Sequence, residues 1–85
     1  MEVAAEFHSL LTSSRGTLSE NEQREIQEFI EGRDFILALE TFCGFLIDQN
    51  RQVSSDLYLR IHTLGDRLEG VDPYLLECVK AIVID

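Results

Sequence analysis

Four side chains in this sequence could ligate a transition metal or form a thiol and imidazole pair: His8, Cys43, His62 and Cys78. A zinc site usually draws at least two ligands from one short segment, because the local chain then fixes their geometry before the metal arrives. No two of these four lie close together in the chain, so the sequence predicts no metal site and no cofactor. A catalytic histidine would also need a nucleophile or base within reach, and the sequence offers none. His62 follows Tyr58 by four positions, a spacing that stacks two rings on one helix face. Both cysteines sit in apolar runs and read as small core hydrophobes with free thiols.

Carboxylates are the commonest titratable groups, yet no segment alternates them and follows with glycine as a calcium loop requires. Gly16, Gly32, Gly44, Gly65 and Gly70 are scattered singly, which suits caps, turns and close helix contacts rather than a phosphate cradle. An acyl carrier needs a serine after an aspartate at a helix start, whereas Ser55-Asp56-Leu57 has the reverse order. A helix N-cap explains Ser54 and Ser55 instead. The expectation is therefore a protein that binds rather than catalyses, with no catalytic residue.

The elements that must position these residues follow from 85 residues carrying 16 acidic and 7 basic side chains, a formal charge of -9. A chain of this length buries one core. Its hydrophobic fraction of 45% is enough to fold despite the charge. An acidic chain is repelled by phosphate backbones and anionic membranes, which predicts no nucleic-acid or membrane partner and favours a basic protein. With no leader-like start and no apolar run of membrane-spanning length, the expected location is cytoplasmic.

Periodicity and short connections predict about five short antiparallel helices in one compact all-α bundle over residues 1–85. The first runs from Met1 to about Ser14 with Val3, Phe7, Leu10 and Leu11 on one face. The second opens on the capping box Ser19-Glu20-Asn21-Glu22, carries Ile26, Phe29 and Ile30, and stops at Gly32. Asp34 is the expected cap of a third helix, Phe35 to about Gln49, the most apolar of the five. Its Phe35, Leu39, Phe42 and Leu46 form a line expected to be buried, leaving Glu40, Thr41, Gly44 and Asp48 as a polar strip. Asn50-Arg51-Gln52 breaks the pattern. Ser54 or Ser55 opens a fourth helix with Leu57, Ile61, Leu64 and Leu68, ending near Gly70. Asp72-Pro73 opens a fifth with Leu75, Leu76, Val79, Ile82 and Val83. Ala81 to Ile84 is β-branched, but a lone strand would lack a partner, so this segment is expected to continue the helix.

The stretch from Phe29 through Gly32-Arg33-Asp34-Phe35, Ala38-Leu39-Glu40 and Cys43 to Leu46 resembles the MafI family of immunity proteins. Val53-Ser54, Tyr58, Ile61 and the Leu64 to Pro73 region continue the similarity, which covers about residues 23–85 and leaves the first helix unmatched. Gly44 departs from the pattern, standing where that family often has an acidic residue. The resemblance implies a small bacterial cytoplasmic protein that neutralises the C-terminal domain of a polymorphic or contact-delivered toxin, frequently a nuclease, by stoichiometric binding. Charge agrees with this, since a nuclease cleft is basic and an acidic protein is steered to it. The other reading is a generic acidic helical adaptor, with an acyl-carrier-like protein behind it. The candidate partner-binding residues are Glu28, Glu31, Asp34, Glu40 and Asp48, expected to converge on one edge of the second and third helices. Tyr58, His62, Asp66 and Glu69 on the fourth helix form the alternative face.

Overall fold

The computed structural model of the protein describes residues 3–49 and 51–84. Its helices are α1 (Val3–Ser13), α2 (Glu20–Glu31), α3 (Phe35–Asp48), α4 (Ser55–Arg67) and α5 (Pro73–Lys80). The chain is all-α, as the periodicity predicts, and the only β pairing among the described residues is one isolated bridge. Met1 and Asn50, which the sequence assigned to the first helix and to the break after the third, lie outside the described residues.

Local chemistry sets most helix starts. The Ser19 hydroxyl accepts the Glu22 amide at 3.2 Å and the Ser19 amide donates to Glu22 Oε1 at 2.9 Å, completing the capping box. Ser54, not Ser55, caps α4 by accepting the Leu57 amide at 3.1 Å. Asp72 accepts the Tyr74 amide at 2.9 Å, with Pro73 inside the first turn. Asp34 takes the expected N-cap position of α3, its carbonyl accepting the Ala38 amide at 2.9 Å, but its side chain does not take the expected capping role. Its backbone, at φ −90° and ψ 65°, does not aim the side chain at the α3 amides, and no side-chain cap bond forms.

The stop of α2 also differs from a simple glycine cap. Gly32 is the cap residue but keeps an ordinary φ of −81°. Arg33 takes the left-handed conformation, at φ 60°. The Arg33 amide donates to the Ile30 carbonyl at 3.0 Å and the Asp34 amide to the Phe29 carbonyl at 2.9 Å, closing a Schellman turn with arginine where glycine is usual.

Packing forms a ring in which α2 meets α3, α3 meets α5, α5 meets α4, α4 meets α1 and α1 returns to α2. Thus α3 and α4, joined by a short connection, both pack on α5. Gly65 permits the α4 to α5 contact, since a methyl group there would come within 3.1 Å of Leu76 Cδ1. The core holds Phe7, Leu10, Ile26, Leu39, Phe42, Leu46, Ile61 and Val79, all essentially inaccessible. Phe35 is only partly buried and stacks on Phe7 with ring centroids 5.9 Å apart, so it caps the core line rather than joining its centre.

Residues 81–84 do not extend α5. After Lys80 the chain turns and Val83 pairs in parallel with Val53, which is fully buried. The Val53 amide donates to the Ile82 carbonyl at 3.4 Å, and the Ile84 amide to the Val53 carbonyl at 3.0 Å. The β-branched run therefore finds its partner in the connection between α3 and α4, which no local pattern signals.

Candidate functional site

The α2–α3 turn opens on a cleft of about 430 Å³ lined by Arg33, Asp34, Phe35, Ile36, Leu37, Glu40 and Leu68. The Schellman turn reverses the chain into α3, whose first turn carries Phe35 onto Phe7 and leaves Ile36 and Leu37 at the surface. Ile36 and Leu37 remain 38% and 45% exposed, unlike the buried positions that follow on the same helix. The opposite wall comes from the end of α4. Gly70 there has φ 102°, and a Cβ at that position would approach Ile36 Cδ1 to 3.2 Å, so glycine serves both the backbone turn and the close approach.

Asp34 and Glu40 contribute the carboxylates of this cleft. Asp34 is exposed, and its Oδ2 lies 3.8 Å from where a Gly32 methyl would stand, turned back toward α2 rather than onto α3. Its charge is thus free of the capping role assigned from sequence. Glu40 is half-buried beside the apolar pair. Glu69 is exposed and adjoins Leu68 in the chain, while Glu28 and Glu31 are exposed on the last turns of α2. Asp48 is exposed at the far end of α3. Fourteen residues at a helical rise of about 1.5 Å place it some 20 Å from Asp34. The structure therefore brings Asp34 and Glu40 into one cleft and leaves Asp48 outside it.

The alternative face on α4 is partly engaged internally. Tyr58 is half-buried and packs on the core, with its ring 5.8 Å from that of His62. His62 Nδ1 lies 3.4 Å from Asp66 Oδ2, an i,i+4 contact that becomes an ion pair when the ring is protonated. The sequence places His62, Tyr58 and Asp66 on one face of the fourth helix and pairs His62 with Tyr58, whereas the structure adds the contact between His62 and Asp66.

Two further features were not read from sequence. Arg51 clamps three segments: Nη1 bonds the Thr17 carbonyl at 3.0 Å and Glu22 Oε1 at 2.5 Å, and Nη2 bonds Glu22 Oε2 at 2.9 Å and the Gln49 side chain. The bidentate guanidinium, opposed by burial, holds the Glu22 carboxyl below the usual carboxylate range. Ile36 and Leu37 are the second omission. The signal was their position off the Phe35, Leu39, Phe42 and Leu46 line, which leaves two large apolar side chains without an assigned burial.

Among the described residues no group of three or more His, Cys, Asp or Glu side chains could hold a metal. No helix among them is long and apolar enough to cross a membrane. Both thiols are free, Cys43 within the core and Cys78 partly exposed. What the α2–α3 cleft can do chemically is bind: an apolar floor for a partner's side chain and carboxylates for a neighbouring cation. Comparison of the chain with models of protein families, with curated proteins and with solved structures returns no match.

Proposed function

We propose that the chain is a cytoplasmic immunity protein that neutralises a basic bacterial toxin domain, of the nuclease class, by stoichiometric binding through the α2–α3 cleft. The observation that carries this reading is the exposed Ile36 and Leu37 pair between the carboxylates of Asp34 and Glu40. Apolar anchors supply most of the free energy of an interface once desolvated, while surrounding charges steer encounter and reject like-charged surfaces. Glu28, Glu31 and Glu69 extend the acidic rim, and the net charge of -9 adds a long-range attraction for any basic cleft. The sequence resemblance to MafI immunity proteins falls on the same turn, Phe29 to Leu46.

Coexpression with the toxin domain encoded beside this chain should restore growth, and binding should weaken as salt rises. An Asp34→Lys and Glu40→Lys variant that retains its helical circular dichroism should associate at least tenfold more slowly and show a flatter salt dependence. Unchanged affinity and salt dependence would place the inhibitory face elsewhere, with the α4 ridge of Tyr58, His62, Asp66 and Glu69 next to be tested. Failure to rescue growth against any neighbouring toxin would favour the adaptor reading.

A further inference from the structure

The groove between α1 and α2 has the opposite chemical character from the α2–α3 cleft. It encloses about 390 Å³, with His8, Thr12 and Arg15 from α1 and its end facing Glu20, Gln23 and Arg24 from α2. His8 and Thr12 lie four positions apart on α1 with Arg15 just past its end, and Glu20 precedes Gln23 and Arg24 by three and four positions on α2, so each set presents one stripe to the groove. Facing helices ordinarily close through apolar stripes. Among the residues that line this groove, only Leu11 is a buried apolar side chain. Gln23 spans the floor, its Nε2 donating to the Leu11 carbonyl at 3.1 Å and to Ser14 Oγ at 3.5 Å, which ties α2 to the end of α1.

Charge makes this groove unusual. Of the seven basic side chains in the sequence, Arg51, Arg60 and Arg67 are each met by a carboxylate. Arg15 and Arg24 enter no salt bridge among the described residues, although the chain offers 16 carboxylates. Both are exposed and both line this one groove. The lining itself sets these two guanidiniums against one carboxylate, Glu20, while carboxylates farther off are attenuated by a Debye length of about 8 Å at physiological ionic strength.

We propose that the α1–α2 groove is a binding site for a phosphate-type oxyanion, gripped by the Arg15 and Arg24 guanidiniums. Their planar forks match oxyanion geometry. The Thr12 hydroxyl already donates to the His8 carbonyl at 3.0 Å, and the Gln23 amide is committed to the floor, so the arginines must carry the contact. The site shares no residue with the α2–α3 cleft, and neither proposal depends on the other.

Titration with sodium phosphate at constant ionic strength, followed by amide and arginine Nε NMR shifts, should give saturable changes confined to the two stripes. Sodium chloride should not reproduce them. Arg15→Gln with Arg24→Gln, folded by circular dichroism, should weaken phosphate binding at least tenfold. Arg15→Lys with Arg24→Lys should fall between, since charge is kept and the fork is lost. Adenosine monophosphate as a second probe identifies the source: tighter binding than phosphate supports a nucleotide monoester, and equal binding supports free phosphate. Linear shifts spread over the surface, or shifts unchanged in the glutamine variant, would overturn the site.

Discussion

Gly44 stands in the middle of α3, and a methyl group built there would meet nothing within 4 Å. Glycine inside a helix costs about 1 kcal/mol relative to alanine, so Gly44→Ala should raise the unfolding free energy by roughly that amount, read as a higher urea midpoint. A loss of stability would mean that the α3 strip is closed off. Cys43 tests the core at the same scale. Burial, with Glu40 adding to it, pushes its thiol from an ordinary value of 9.0 up to about 12. The unfolded chain therefore releases this proton first, and stability should decline as pH rises from about 9 toward about 12. Cys43→Ala should show a shallower alkaline decline in chemical denaturation than the native chain. An equal decline would show that this thiol is not protected by the fold. At this scale the candidate site was partly legible. Asp34 and Glu40 could be named from their positions around a turn, but Ile36 and Leu37 could not, because their exposure depends on how the turn aims the first turn of α3. The left-handed conformation of Arg33 was equally hidden, since Gly32 beside it satisfies every local rule for that role.

Among the elements, helix existence followed from periodicity and capping chemistry, which act within a few residues. Ser19 with Glu22, Ser54, and Asp72 with Pro73 are such local cases. The bridge between Val53 and Val83 was illegible because its two halves are held by packing across the molecule, and a propensity is decided by the partner it meets. The Arg51 clamp belongs with it, joining the α3–α4 connection to Thr17 and Glu22. Its pH dependence has a definite sign. Glu22 is held below its ordinary value in the folded chain, so on acidification the unfolded chain binds the proton first. The contribution is full above the ordinary carboxylate range and disappears as pH falls through the lowered folded value. Glu22→Gln should lower stability near neutral pH by about 1 to 2 kcal/mol, a charge-assisted contact discounted for partial solvation. Melting curves of the two proteins should converge on acidification below pH ~4. A constant difference between them would show that the ionised form of Glu22 is not what stabilises the fold.

For the whole molecule, the radius of gyration of 11.5 Å agrees with the roughly 12 Å expected of one compact domain of this length. Such a domain has about 4 to 13 kcal/mol of stability. Phe42 lies fully buried in α3, which packs against both α2 and α5. Phe42→Ala should cost roughly 3 to 5 kcal/mol in equilibrium denaturation, and an unchanged midpoint would show that α3 is not the centre of the core. The ring order of the helices also changes what the connection between α3 and α4 is for. A connecting segment is ordinarily where a protease enters first. This one crosses toward the α1–α2 loop, with the Arg51 side chain bonded to Thr17 and Glu22 and Val53 sealed in the core. Trypsin should therefore cut the native chain first after Arg15 or Arg33, both exposed, and after Arg51 only when the whole domain opens. An early fragment ending at Arg51 would show that the crossing is held loosely. A slow one would make this short segment the seam that keeps the ring shut.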